Sequence, residues 1–191
     1  MSAAPVFYFD YSSPYAYLAA SRIDSLLPGA TWRPIVFGVL LREIGKVPWS
    51  LRTGREAGMR EIEERAAARG LPPVRWPEGW PDRSYSVLPL RAALVAEAAG
   101  ELRRYSAAAY AVMFAEGRPL DSLETVLGAA VAAGLDRDAV CAGVEDQEIR
   151  ARLRANTAEA IERGVTGVPT VAVRGALFWG DDLLETAAAA A

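Results

Sequence analysis

The amino-acid sequence predicts an α/β fold in which strands from both ends of the chain form one sheet and a long helical block lies between them. Three observations carry this prediction. Strand-forming runs occur near the two ends, helical periodicity fills the centre from about residue 39 to 163, and the first run is followed by a helix and a second run. The 191 residues are enough for one such domain with a large insertion.

The first unit has a strand–helix–strand pattern. Residues 5–10 (PVFYFD) are a short apolar and aromatic run typical of a strand. Apolar residues then recur at helical spacing over residues 15–27, until Pro28-Gly29 ends the pattern. Residues 31–37 (TWRPIVF) predict a second strand, and Pro34 favours an edge position because it cannot donate to a ladder. This order predicts a parallel strand pair joined by a crossover helix.

Helical patterns fill the centre of the chain. The candidate helices cover residues 55–69, 87–99, 102–115, 122–133, 137–143 and 145–163. Gly, Pro and Asp separate them, and Asp121 and Asp136 are the predicted N-caps of the fourth and fifth. The single cysteine, Cys141, lies in this block and is predicted to be a buried structural thiol.

Strand character returns near the end of the chain. Residues 170–173 (TVAV) and 176–179 (ALFW) are separated by Arg174-Gly175, which predicts a tight hairpin. A last helix is predicted over residues 183–191. The whole order, βαβ, helical block, ββα, is that of a thioredoxin-like fold with a large all-helical insertion. We place the core at residues 1–38 and 164–191 and the insertion domain at 39–163.

Composition excludes several classes of function. The formal net charge is -3 and the arginines are balanced by acids, so the chain lacks the basic face that nucleic acid requires. No apolar run reaches the roughly 18 residues of a membrane span, and the start of the chain lacks a secretory pattern, so a cytoplasmic protein is expected. The sequence has no histidine, which excludes Ser-His-Asp catalysis and makes a metal site unexpected. One cysteine excludes a CxxC redox cycle.

Ser13-Pro14, at the first strand-to-helix turn, is the strongest candidate site. Serine at the N-cap and proline at the first helical position form a favourable helix start, so a cap alone would explain both residues. The same geometry also suits a bound thiolate, because a helix start offers free N–H groups and a hydroxyl can donate to the sulfur. The sequence offers no base to activate Ser13 itself.

Val168-Pro169 is the second candidate site. A proline at a strand start cannot donate to a ladder, and an X-Pro bond at such a place is a candidate for the cis form. The Val168 backbone would then be free to pair with an extended ligand. An ordinary strand entry is the alternative interpretation.

Several aromatic residues are candidates for a substrate pocket. They are Tyr15, Trp49, Trp80, Tyr85 and Trp179. Trp76 and Trp80, with their neighbouring prolines, predict a rigid aromatic loop that either packs locally or covers an aromatic substrate.

Three stretches together resemble a known group of proteins. Residues 9–19 (FDYSSPYAYLA), residues 164–165 with 167–170 (GV and GVPT) and residues 179–182 (WGDD) are similar to the 2-hydroxychromene-2-carboxylate isomerases and the kappa-class glutathione transferases. Both belong to the DsbA-like thioredoxin superfamily. The three matches lie at both ends of the chain, which agrees with a split thioredoxin-like core.

The resemblance implies roles for individual residues. Ser13 would lie beside the sulfur of glutathione or another small thiol, and the backbone of Val168, before Pro169, would pair with its cysteinyl unit. Asp181 and Asp182 would hold the γ-glutamyl end. Arg55 stands in the segment where the family usually has a lysine.

The resemblance also implies an activity. The expected reaction is a glutathione-dependent cis–trans isomerisation of a small aromatic or conjugated carboxylate, without redox change, in a homodimer. Two other functions stay open: a kappa-like glutathione transferase, and a redox-inactive DsbA-like module that binds an extended peptide.

Overall fold

The computed structural model describes residues 4–191 and contains one four-stranded mixed sheet. The strands are β1 (Val6–Phe9), β2 (Thr31–Pro34), β3 (Thr170–Val173) and β4 (Ala176–Trp179), in the order β2-β1-β3-β4. β1 pairs parallel with β2 and antiparallel with β3, and β3 pairs antiparallel with β4. The predicted α/β, thioredoxin-like βαβ…ββα arrangement is confirmed. Residues 1–3, the start of the predicted core segment, lie outside the described residues.

The strand ends follow from local chemistry. β2 is an edge strand that ends at Pro34, which is opposite Phe9 in the parallel register. The β3–β4 hairpin turns at Arg174 and Gly175, both with positive φ, as a two-residue turn of this hand requires. The edge position of β2 and the position of the hairpin turn agree with the sequence prediction.

Ten α-helices surround the sheet within the described part of the chain. They are α1 (Pro14–Ala20), α2 (Ile23–Leu26), α3 (Phe37–Glu43), α4 (Arg55–Ala68), α5 (Val87–Ala98), α6 (Leu102–Tyr110), α7 (Leu123–Ala132), α8 (Arg137–Gly143), α9 (Gln147–Glu162) and α10 (Leu184–Ala189).

Three helix predictions need correction. The single helix expected over residues 15–27 is two short helices, α1 and α2. The helix expected over residues 102–115 is α-helical only to Tyr110 and continues as a π-helical turn, Ala111–Ala115. The N-cap of α7 is Ser122, whose hydroxyl accepts from the Thr125 amide, and not Asp121. The Asp136 cap is confirmed.

α3 was not predicted. The second strand was expected to reach Phe37, but it ends at Pro34 and Phe37 begins a helix. α3 runs across the predicted domain boundary between residues 38 and 39.

One hydrophobic core joins the sheet to the helical block. Phe7, Phe9 and Trp32 pack together on one sheet face and share a buried cluster with Leu90 of α5 and Tyr105 of α6. The opposite face is covered by α3 and α9. Cys141 is half-buried in α8, not fully buried as the sequence predicted. Between residues 4 and 191 no helix is both long enough and apolar enough to cross a membrane.

Candidate active site

A cleft with a volume of about 630 Å³ opens where the two ends of the chain meet. Its floor is the turn after β1 and the start of β3, and one wall is the segment that follows β4. The other walls come from the helical block: the loop between α3 and α4, the inner face of α4, and the loop before α5.

Ser13 lies on the floor of this cleft and is almost fully buried. Its backbone is extended and its Oγ accepts from the Ala16 amide at 3.2 Å, so Ser13 is the N-cap of α1 with Pro14 at the first helical position. The Ser13 hydroxyl donates to the Val168 carbonyl at 3.2 Å. The two candidate sites, 155 residues apart in sequence, therefore touch.

The Val168-Pro169 peptide bond is cis. Two hydrogen bonds fix this segment: the Thr170 hydroxyl donates to the Gly167 carbonyl at 2.7 Å, and the Gly180 amide donates to the Pro169 carbonyl at 2.9 Å. The second bond attaches the segment after β4 to the start of β3.

Asp181 and Asp182 follow this attachment but have different surroundings. Asp181 is fully buried and forms ion pairs with Arg65 at 2.7 Å and with Arg69 at 2.5 Å. Asp182 is exposed at the cleft and forms no ion pair with any residue in the range 4–191. Only one of the two carboxylates is thus available to a ligand.

Tyr15, two residues after Ser13, is attached to α4. Its hydroxyl donates to Glu61 at 3.1 Å, and the guanidinium of Arg65 lies 5.6 Å from the centre of its ring. Burial, together with the charge of Glu61, raises the pKa of Tyr15 to about 12. Tyr15 is therefore a neutral phenol at physiological pH, and it cannot serve as a base there.

Three of the aromatic residues predicted from sequence form a continuous wall. Tyr15, Trp49 and Trp80 contact one another in series, with ring centres 6.0 and 5.7 Å apart. Tyr85 and Trp179 stand at the rim, 74% and 55% exposed. All five line the cleft.

Trp76 stands outside this wall. Its ring packs against Trp80 at a tilt of 45°, with ring centres 4.4 Å apart, but Trp76 does not line the cleft. It therefore packs locally and supports Trp80.

The structure brings cations to the cleft that the sequence analysis missed. Lys46, Arg52 and Arg65 line it, whereas Arg55, at the start of α4, does not. Lys46 Nζ lies 5.6 Å from the ring centre of Trp179, and Arg52 donates to the Val47 carbonyl at 2.8 Å. The signal that could have found Lys46 is its position as the only lysine of the chain, next to a Pro-Trp loop.

Comparisons with known proteins agree with this fold. A family model described as DSBA-like thioredoxin domain matches residues 6–190. The chain is 29% identical over 185 residues to 2-hydroxychromene-2-carboxylate isomerase of Sphingobium xenophagum, covering 94% of this chain and 93% of that protein.

Solved structures give the same result. A 2-hydroxychromene-2-carboxylate isomerase matches with a TM-score of 0.81 at 25% identity, over 96% of this chain and 92% of the other. The cytosolic disulfide reductase DsbM of Pseudomonas aeruginosa, in a structure with GSH, matches with a TM-score of 0.66 at 19% identity, over 98% and 96% of the two chains. The second likeness concerns the fold.

Proposed function

This chain belongs to the DSBA-like thioredoxin domain family, and from that membership we propose that it is a thiol-dependent isomerase of the 2-hydroxychromene-2-carboxylate isomerase type. Similarity over nearly the whole length of the Sphingobium xenophagum isomerase supports the reaction class. Glutathione is the first thiol to consider, because the sequence resembles glutathione-using groups and the DsbM structure that shares this fold was solved with GSH.

The contact between Ser13 and Val168 is the observation that carries the proposal. It brings a hydroxyl donor and a backbone edge to one point on the cleft floor. Since the hydroxyl rotates freely, it can leave the Val168 carbonyl and donate to a thiolate instead. α1 has only seven residues, so we assign the stabilisation mainly to this hydroxyl and not to the helix dipole.

The residues around this point fit a small peptide-like thiol. Next to Pro169, Val168 presents backbone to an extended ligand, and Asp182 offers a free carboxylate to a γ-glutamyl ammonium. Asp181 does not fit that role, because two arginines already neutralise it and it is buried. We therefore transfer the proposed ammonium contact to Asp182 alone.

A thiol bound here would supply a nucleophile for reversible addition to the conjugated double bond of the substrate, which would allow rotation about that bond. The protein would contribute three things to this cycle. Ser13 would hold the sulfur ionised, the aromatic wall of Tyr15, Trp49 and Trp80 would bind the planar substrate and exclude water, and cations would hold its carboxylate.

Lys46 and Arg52 are the proposed carboxylate contacts. Arg65 is engaged by Glu61 and Asp181, whereas Lys46 and Arg52 form no ion pair among the described residues. Two cleft cations without protein carboxylates suit an anionic substrate.

The first experiment is calorimetric titration with reduced glutathione, followed by an absorbance assay for conversion of 2-hydroxychromene-2-carboxylate. Ser13→Ala tests the site and Ser122→Ala is the matched control, because each serine caps one helix with one hydrogen bond. Both variants should lose about 1 kcal/mol of stability. Only Ser13→Ala should bind glutathione more weakly and turn over more slowly.

Other outcomes identify other functions. Equal binding and turnover in the two variants would contradict the role of Ser13. Stable thioether formation with a general electrophile, without isomerisation, would indicate the transferase. Peptide binding with neither activity would indicate the interaction module.

The resemblance also leads us to propose a homodimer. Light scattering on the purified protein tests this, because it separates a mass of 20.5 kDa from twice that value.

A further inference from the structure

Asp10, the residue that follows β1, is a fully buried carboxylate outside the mechanism described above. Its Oδ1 accepts from the Ser12 amide at 2.8 Å. Its Oδ2 accepts from the Phe37 amide at 2.8 Å and from the Ser86 hydroxyl at 2.9 Å. One side chain thus receives three hydrogen bonds from three separate parts of the chain.

The three donors stand at the starts of three helices. Ser12 lies in the turn that leads to Ser13 and α1. Phe37 is the first residue of α3, and Ser86 is the N-cap of α5. Neither α3 nor α5 has a side-chain hydrogen bond from its own N-cap residue. Asp10 supplies the acceptor that α3 lacks locally.

All three donor residues line the cleft. They belong to its floor, to the α3 side and to the loop before α5. Asp10 lies behind this surface, so it contacts the residues that form the cleft without entering the cleft itself.

Among the described residues, the surroundings of Asp10 contain phenols and no cationic partner. The Tyr110 hydroxyl donates to the Asp10 backbone carbonyl at 3.3 Å, and the buried Tyr11 follows Asp10 directly. No Lys or Arg between residues 4 and 191 forms an ion pair with Asp10. Burying a carboxylate with neutral donors alone costs free energy. In return, Asp10 fixes the three cleft segments that donate to it.

We propose that Asp10 is a positioning residue of the proposed thiol site: it locks the Ser12–Ser13 turn against the starts of α3 and α5 and thereby sets where the Ser13 hydroxyl stands. The relevance of this role to catalysis rests on the proposed function. The geometric part can be tested without any ligand, because the Ala16 amide donates to Ser13 Oγ and so reports on its position.

The test is amide hydrogen exchange on Asp10→Asn, resolved to single residues by NMR. The side-chain amide of asparagine cannot accept at both positions, so the lock is partly lost. We expect exchange to accelerate about tenfold or more at Ser12 or Phe37 and at Ala16, while core amides of β1 and β3 keep their protection. Asp136→Asn, the N-cap of α8, is the control and should affect only the first turn of α8.

Titration with glutathione then separates this role from the proposed function. If wild type binds glutathione, Asp10→Asn should raise the Kd about tenfold in the wild-type background and have no further effect in the Ser13→Ala background. If wild type binds no glutathione while Asp10→Asn still accelerates amide exchange at Ala16, the proposed function fails and the positioning of Ser13 by Asp10 stands.

Two results would overturn the positioning role. One is unchanged exchange at Ala16 in a folded Asp10→Asn protein. The other is a uniform loss of protection over the whole core, which would make Asp10 a purely structural residue. If Asp10→Asn does not fold, Ser86→Ala removes a single donor, and it should accelerate exchange at Ala16 by a smaller factor; no change there would equally refute the role.

Discussion

Replacing Asp181 and Asp182 separately by alanine should give opposite results for stability and ligand binding. Asp181 is buried between Arg65 and Arg69, whose side chains are 31% and 18% exposed. Among the described residues, removing the carboxylate leaves Arg69 without an ion-pair partner and Arg65 with Glu61 alone. Breaking a buried ion pair costs about 3–5 kcal/mol, and the partial exposure of the arginines favours the lower end, about 3 kcal/mol.

This cost converts to a large change in melting temperature. For a chain of this length each kcal/mol lowers Tm by about 2–4 °C, so Asp181→Ala should melt about 6–12 °C below wild type. Asp182 is exposed, so Asp182→Ala should melt within about 2 °C of wild type. Loss of an exposed charge contact should weaken glutathione binding by up to about fivefold in Asp182→Ala.

Circular dichroism melts and calorimetric titration of the two variants provide the assay. Asp181→Asn is a useful third variant, because it keeps one acceptor for an arginine and should melt between wild type and Asp181→Ala. The reasoning is wrong if Asp181→Ala melts with wild type, or if Asp182→Ala is the less stable of the pair.

Three further predictions follow from contacts in and behind the cleft. Gly58→Ala places a Cβ 2.5 Å from the Trp49 ring, so the ring must move. The near-ultraviolet circular dichroism should change, and KM for the carboxylate substrate should rise several-fold. Tm should change little. Burial and Glu61 raise the pKa of Tyr15 to about 12. The stabilisation of the fold by the neutral phenol is therefore complete below pH 10 and is lost as pH rises through 12. Glu61→Gln should lower this pKa, which a phenolate absorbance titration measures. Burial, opposed by hydrogen bonds, raises the pKa of Asp10. Its contribution to the free energy of unfolding is therefore complete below the unfolded-state pKa and falls as pH rises through the folded-state pKa. Denaturant unfolding should show Asp10→Asn gaining stability relative to wild type over that rise in pH.

The parts of the site that the sequence predicted are those with local signals. Ser13-Pro14 carries a helix-start pattern and Val168-Pro169 a strand-start pattern, and each residue pair shows its place without knowledge of the rest of the chain. The resemblance placed both beside one bound thiol, but the direct contact between them was not predicted, because nothing within either segment indicates a partner 155 residues away.

The parts that the sequence missed depend on distant partners. Residues 35–37 are strand formers, so the pattern extended β2 to Phe37. The helix starts there because β1 ends at Phe9 and the next residue, Asp10, accepts from the Phe37 amide. A cap supplied from another segment leaves no mark in the local sequence.

The roles of the charged residues were also hidden for this reason. Asp181 and Asp182 are adjacent and identical in type, and only the position of α4 separates them, since it brings Arg65 and Arg69 to one and not to the other. Lys46 and Arg52 lie in a loop without periodicity, where charge patterns carry no directional information.

Lys46 is a site for selective chemical labelling of the protein. Because it is the only lysine, amine-directed labelling can modify just one side chain besides the terminal amine, and that side chain lines the cleft and contacts Trp179. A dye attached there would stand beside an indole, which quenches many fluorophores by contact. Ligand entry could then be followed in real time through emission from a single, stoichiometric label.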